Sequence, residues 1–470
     1  MTEQAAEPTT AIIETLARLR ENYNAGLTRS AAWRDNQLLA LSRMLTDNSG
    51  VFESALQRDL GKSPVEGILT EIGFLLSEID HTRSQLGKWM RPRRVMPSVA
   101  LLPASAKVIR EPLGAALIIA PWNYPLMLAL SPLVGAIAAG NVAVVKPSEL
   151  APNVSAALAK ILPTYLDHRA FAVIEGGVEE TTELLEQRWD SIFYTGNGAV
   201  GRIVMTAAAQ HLTPVTLELG GKSPAYVDDT SDLRQVAQRL AWGKFLNAGQ
   251  TCVAPDYVLA TRPVIDRLVP MLAEAIRDLF GTSIQQNPDY GRIINTRHTE
   301  RLAGLLSSGR IAIGGTVDRD DRYIEPTVLT DVSRDSDIMA SEIFGPLLPL
   351  IEVTGLDDAI NYVRGGDKPL ALYVFSESNR ARDRWANETS SGGLAFGIPM
   401  AHLMVSGLPF GGVGESGMGA YHGERSFLTF SHEKAVLSKP LTPDTLRATI
   451  MPPYTAQKEA IVRKLLRRIS

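Results

Sequence analysis

Apolar positions along this chain repeat with two different periods, and the change of period divides it. From Thr10 to about Met90 they recur every three or four residues, as at Leu38, Leu39, Leu41 and Leu45 and again at Ile68, Ile72, Leu75, Leu76 and Ile79. That spacing predicts a set of amphipathic helices. The next stretch holds Pro92, Pro97, Pro103 and Pro112 around a partly alternating run at 99–109. Proline cannot donate to a strand ladder, so such a run belongs at a sheet edge, and a β-ribbon used for subunit contact is expected here.

After Pro112 the pattern changes to short β-rich runs at 115–120, 142–145, 171–174, 191–194 and 215–217, each ended by glycine, proline or polar residues and followed by a helical stretch. Strands alternating with helices predict crossover connections and a parallel sheet covered on both faces, with ligands at the carboxyl ends of its strands. Asn123, Lys146, Thr195 and Glu218 fall at or just past such ends. A second block of the same kind has strands expected near 257–260, 323–329, 347–353 and 370–375, then a glycine-dense loop at 407–419 and a further strand at 426–438 that could return to the ribbon. The reading is an α/β protein with two doubly wound parallel-sheet domains and a β-ribbon oligomerisation element. Residues 1–96 and 113–216 are assigned to the first of these domains, 97–112 and 420–438 to the ribbon, 217–406 to the second domain and 439–470 to a tail. No tandem repeat and no low-complexity tract interrupts it.

Composition narrows the class. A chain of 470 residues with 45% hydrophobic and 21% charged residues is a multidomain globular protein rather than a disordered one. Its net charge of −4 gives no global field for nucleic acid. The apolar stretch 125–140 is shorter than the ~20 residues of a bilayer span and contains Pro125 and Pro132, so a buried helix is expected. Residues 1–10 lack the basic and apolar regions of a secretory leader, and a cytoplasmic location is the expectation. The tail places Ile461, Val462, Leu465, Leu466 and Ile469 on one helical face and Lys458, Arg463, Lys464, Arg467 and Arg468 elsewhere. A basic amphipathic helix of this kind docks on its own protein, on a sister subunit or on a membrane surface.

Candidate chemistry centres on Cys252, the single cysteine. One thiol cannot close an intrachain disulfide, so the sulfur is either packing or a nucleophile. It lies in Gly249-Gln250-Thr251-Cys252-Val253-Ala254-Pro255-Asp256-Tyr257, where small residues leave it approachable. Glu218 follows an apolar strand in Leu217-Glu218-Leu219-Gly220-Gly221-Lys222-Ser223-Pro224, placed either to reach into a cleft or to make a salt bridge or helix cap. The same segment is not a nucleoside-triphosphate loop, because Thr216 stands where its first glycine is required. Tyr194-Thr195-Gly196-Asn197-Gly198-Ala199-Val200-Gly201 carries glycines at dinucleotide-loop spacing between a strand and a helix, whose amides could face a pyrophosphate. Lys146-Pro147-Ser148-Glu149 offers a lysine and a carboxylate that could bind adjacent ribose hydroxyls, unless Ser148 simply caps the next helix. No metal-ligand spacing is read.

Together with Pro121-Trp122-Asn123-Tyr124-Pro125, Glu342-Ile343-Phe344-Gly345-Pro346 and Leu408-Pro409-Phe410-Gly411-Gly412-Val413-Gly414, these motifs make the chain resemble the aldehyde dehydrogenase superfamily, and in particular its class 3 branch, from about Ile13 to about Ser438. The resemblance implies NAD(P)-dependent oxidation of an aldehyde to the acid. Cys252 forms a thiohemiacetal and then a thioester, Asn123 and the cysteine N–H hold the oxyanion, and Glu218 activates the hydrolytic water. It also implies Lys146 and Glu149 on the adenosine ribose, and Thr195, Gly196, Val200, Leu219 and Gly220 around the nicotinamide or pyrophosphate. Glu342 falls on the nicotinamide ribose, and Phe344 against the ring region. Glu149 crowds a 2′-phosphate, which favours NAD while leaving NADP open. Segment 394–400 departs from the family's Asn-Asp pair, and Tyr124, Met127, Thr251, Phe396 and Met400 are expected to line an apolar tunnel for an aromatic or medium-chain aldehyde.

Three rivals remain at this stage. A thioesterase or acyltransferase would need histidine to activate Cys252, yet none of the seven histidines lies in a motif beside it. A coenzyme A-acylating dehydrogenase would leave Glu218 without its role. A cofactor-binding scaffold without turnover has only the basic tail in its favour. A homodimer joined through the ribbon is expected.

Overall fold

A computed structural model describes residues 8–98 and 101–466. The opening helices are as the apolar spacing predicts: Pro8–Asn24, Ala31–Asp47, Ser49–Leu60 and Gly73–Trp89. Between the last two a π-helical turn, Ile68–Ile72, adds a residue to the regular helical repeat and rotates its side chains. Ile68, expected on the buried face, is therefore 42% exposed, whereas Ile72 is buried.

The first parallel sheet is built from Phe171–Val173, Val142–Lys146, Ala115–Ile119, Ser191–Gly196 and Val215–Leu219, adjacent in that order. A short antiparallel strand, Gly417–Met418, closes its far edge against Leu217 and Glu218. The helix Met127–Ala139 is apolar on nearly every side and almost wholly buried, which is why it reads as hydrophobic all round. Glu218 thus stands on the first sheet, and the expected domain boundary between 216 and 217 cuts through a strand. The chain passes to the second sheet only after Leu219.

The second sheet has seven strands in the order Arg310–Ile313, Thr327–Thr330, Leu347–Glu352, Tyr257–Ala260, Pro224–Val227, Ala371–Phe375 and Gly393–Phe396, all parallel except the first. The expected strand 323–329 is two pieces, since Tyr323–Ile324 pairs with Val317–Asp318 in a separate hairpin.

The ribbon comprises Arg93–Val95, Ser105–Pro112 and Ser431–Ser438, paired antiparallel. It begins earlier than the expected 97, and residues 99 and 100 lie outside the described residues. The expected strand 426–438 starts only at Ser431, because Glu424–Thr429 is a short helix packed on Met127–Ala139. Gly135 permits that contact, since a Cβ there would come 2.8 Å from Ser426 Cβ. The tail forms a helix over Ala456–Leu466, with Ile461 and Val462 exposed. Of the residues expected on it, Arg467, Arg468 and Ile469 lie outside the described residues. No helix among those described is long and apolar enough to cross a membrane.

Candidate active site

The loop that carries the cysteine owes its shape to three consecutive residues with positive φ. Helix Leu233–Phe245 ends in a tight turn in which Asn247, Ala248 and Gly249 have φ of 52°, 51° and 75°. At Gly249 only glycine fits, since a Cβ would lie 2.3 Å from the Gly345 carbonyl oxygen. The turn reverses the chain and delivers Gln250, whose buried amide then fixes the loop. Its Nε2 donates to the carbonyls of Asn247 (3.0 Å) and Arg292 (2.9 Å), and its Oε1 accepts from Ile294 N–H at 2.9 Å. Beyond it, Thr251 Oγ1 lies 2.7 Å from Tyr124 Oη, and Cys252 is left half-buried.

Asn123 meets this loop from the first sheet. Its Nδ2 donates to the Gln250 carbonyl at 3.0 Å, and its own carbonyl accepts from Asn247 Nδ2 at 2.8 Å and Lys62 Nζ at 3.1 Å. Glu218 is buried, and it and the Cys252 thiol are close enough to influence each other's protonation. The Glu218 Oε1 has no partner. Burial pushes the Glu218 carboxyl up to about 8, with the thiol contact a smaller opposing influence. Burial, then the negative neighbours Glu218 and Glu342, raise the Cys252 thiol well above its usual value. The Glu342 carboxyl is likewise raised, by burial and by Asp256. Burial thus disfavours the charged form of each of these three groups.

Two cavities meet at this sulfur. The first, about 720 Å³, is lined by Asn123, Lys146, Glu149, Thr195, Gly196, Val200, Glu218, Leu219, Gly220, Cys252, Glu342 and Phe344. Every expected cofactor residue is thus on one surface. Lys146 is buried and paired with the half-exposed Glu149 at 3.0 Å. Thr195 Oγ1 is buried without a partner. The helix Gly198–Ala209 opens onto the cleft with Asn197 as its cap, which places amide groups where an anion would sit. A Cβ on Gly220 would meet Glu342 Oε2 at 1.9 Å, so the absent side chain is what lets this carboxyl fold into the cleft. Trp122 stacks edge-on to Phe344 with centroids 5.2 Å apart. Unsatisfied polar groups, a helix N-terminus and a cleft of this volume fit a dinucleotide.

The second cavity, about 510 Å³, is a mostly apolar tunnel. Tyr124, Met127, Thr251 and Met400 line it as expected. Phe396 does not: on the strand Gly393–Phe396 it is Ala395 that faces inward, and Phe396, 39% exposed, turns to the opposite face under Arg382. The walls that sequence reading missed are Phe74 and Trp242, together with Tyr421 and His422 from beyond the glycine loop. Their scatter over three distant segments leaves no local motif. Among lining residues only Leu128 and Cys252 belong to both cavities. The buried pair Lys62–Glu71 behind Asn123 was also missed, having been read as part of a plain amphipathic run.

The arrangement defines a thiol enzyme: a nucleophile with a carboxyl at hand, set between a dinucleotide-sized cleft and an apolar tunnel. The sequence profile described as "Aldehyde dehydrogenase family" matches residues 7–436. Aldehyde dehydrogenase family 3 member B1 of Rattus norvegicus is 51% identical over 442 residues, 94% of each chain. Family 3 member A2 of Mus musculus is 48% identical over 441 residues, covering 94% of this chain and 91% of its own. The AldH of Staphylococcus aureus, solved in a substrate-bound state, superposes with a TM-score of 0.94 at 44% identity over 97% of this chain and 99% of its own. The NAD-dependent aldehyde dehydrogenase of Sinorhizobium meliloti gives 0.85 at 25% identity over 95% and 89%. The chain belongs to the aldehyde dehydrogenase family. It is an NAD(P)-dependent enzyme of the class 3 branch.

Burial and negative neighbours favour the protonated thiol, so Cys252 in the cofactor-free protein is expected to react more slowly at neutral pH than an ordinary thiol, whose pKa is about 8.5. Iodoacetamide alkylation followed against pH is expected to show a midpoint above that value, moving downward in Glu218→Gln, which removes one negative neighbour. A midpoint at or below the ordinary value would contradict this account.

Proposed function

We propose that this enzyme oxidises apolar aldehydes, aromatic or of medium chain length, to carboxylic acids at Cys252, with NAD the preferred dinucleotide. The observation that carries the reading is the position of Cys252 at the junction of the apolar tunnel and the polar cleft. An aldehyde arriving through the tunnel presents its carbonyl carbon to Sγ. Glu218, next to the thiol, takes its proton as the carbon–sulfur bond forms. The oxyanion that develops is met by Asn123 Nδ2 and the Cys252 backbone N–H; a single such donor typically lowers the barrier by about 3 to 4 kcal/mol.

Lys146 and Glu149, the Gly198–Ala209 helix start, Glu342 and Phe344 would hold the dinucleotide, which supplies an acceptor for two electrons and the hydrogen of the aldehyde carbon and so leaves a thioester on Cys252. Once the thiol proton has passed from Glu218 to solvent, the freed carboxylate draws a proton from water as the water oxygen attacks the thioester carbon; the carbon–sulfur bond then breaks to release the acid, and the departing sulfur takes that proton back from Glu218. A carboxyl with its pKa near 8 is suited to both the acceptance and the return of a proton. Its contact with the thiol favours hydrolysis over transfer to coenzyme A. A histidine-activated hydrolase is disfavoured because, among the described residues, the cleft is lined by His298, lowered to about 4 by burial, Arg301 and Arg297, and the tunnel by His422, lowered to about 3 chiefly by burial.

Glu149 beside Lys146 disfavours a 2′-phosphate, which supports NAD over NADP. The outer edge of the strand Ser431–Ser438 is unpaired in the ribbon, which supports a homodimer formed by extending the sheet. Exposed Ile461 and Val462 among basic residues of the tail support contact with an anionic membrane surface.

Cys252→Ala is expected to abolish aldehyde-dependent NAD reduction, and Glu218→Gln to give one burst of reduction per site and then stall at the thioester. Full oxidation by the Cys252 variant would refute the assignment. The ratio kcat/KM is expected to favour benzaldehyde over acetaldehyde by at least tenfold, with equal values counting against an apolar tunnel. Flotation with anionic liposomes is expected for the full chain and lost on deleting residues 456–470; identical flotation of both would remove the tail from the proposal.

A further inference from the structure

We propose that the buried Lys62–Glu71 ion pair sets the position of Asn123, making Lys62 and Glu71 positioning residues for the oxidation; the inference rests on Asn123 acting as the oxyanion donor. Both side chains are wholly removed from solvent and lie 2.6 Å apart. The lysine spends its other contacts on the segment that carries the donor: Nζ donates to the Asn123 carbonyl at 3.1 Å and sits 3.8 Å above the Tyr124 ring. The second carboxylate oxygen of Glu71 accepts from Leu126 N–H at 2.9 Å and Met127 N–H at 3.1 Å, where helix Met127–Ala139 begins. One ion pair thus grips residues 123, 124, 126 and 127, a stretch outside any strand or helix up to Met127.

On its other side Asn123 is tied to the cysteine loop through Asn247 and Gln250. Among the described residues, Lys62 alone bonds the Asn123 carbonyl from the side of the opening helices. Glu71 reaches this place because it stands in the π-helical turn Ile68–Ile72, closed by the bond from Gly73 N–H to the Ile68 carbonyl. A Cβ on Gly73 would come 2.8 Å from that oxygen, so the turn is matched by the residue that permits it. A buried ion pair rarely stabilises a fold more than apolar residues of the same volume, which leaves direction as its gain. π-turns of this kind recur where a helix is bent to serve a site.

The test is a double-mutant cycle on the full-length enzyme, read as the pre-steady-state burst of reduced dinucleotide with benzaldehyde and saturating NAD. Lys62→Met is expected to slow the burst by about 10- to 100-fold, part of the loss seen on deleting an oxyanion donor. NAD affinity, measured by fluorescence titration, should stay within about twofold. In an Asn123→Ala background the same change should cost less than about twofold, because the group it positions is gone. Equal losses in both backgrounds, or an unchanged burst in folded Lys62→Met, would overturn the proposal. Should Lys62→Met not fold, Glu71→Gln, which keeps an acceptor for the two amides, carries the same pair of outcomes. If Asn123→Ala alone leaves the burst unchanged, the oxyanion assignment itself fails, and the clamp with it.

Discussion

The site exists because a side chain from one sheet is hydrogen-bonded to a loop from the other. Asn123 donates to the Gln250 carbonyl and accepts from Asn247, so the residue after the first strand and the turn before the cysteine hold one another. These bonds, with that between Tyr124 and Thr251, join the residues beside Asn123 and Cys252 directly. The left-handed run at Asn247, Ala248 and Gly249 carries a conformational cost that the surrounding bonds of Gln250 offset.

Burial then decides the charge state. Desolvation is the largest influence on Cys252, Glu218 and Glu342 and raises all three, and the two carboxyls raise the thiol further. The buried Lys244 is lowered to about 8, chiefly by burial, and Lys222 is committed to Asp256 at 2.5 Å. The chain thus supplies a proton acceptor beside the sulfur without supplying a permanent positive charge there.

Much of this was legible in the sequence. The strand ends bearing Lys146, Thr195 and Glu218 were visible because fully buried parallel strands are short apolar runs that stop abruptly. What stayed hidden depended on long-range geometry. The strand Gly417–Met418, which backs Glu218, is two residues inside a glycine-dense loop and has no periodicity to show. Phe396 was misplaced by strand parity, where one residue exchanges the two faces. Lys62 and Glu71 escaped notice because the π-turn shifts the helical phase, so that an apparent core position such as Ile68 points outward and an apparent surface acid points in.

The narrow overlap of the two cavities has a consequence for how such an enzyme diversifies. Since Leu128 and Cys252 alone face both, a mutation elsewhere on the tunnel wall leaves the dinucleotide's surroundings untouched. Phe74, Trp242, Met404 and His422 come from segments that carry none of the cleft's polar groups. Descendants of this chain are free to explore new fuels by drift in those walls while the redox partner stays constant, a modularity that lets one ancestral reaction spread over many compounds.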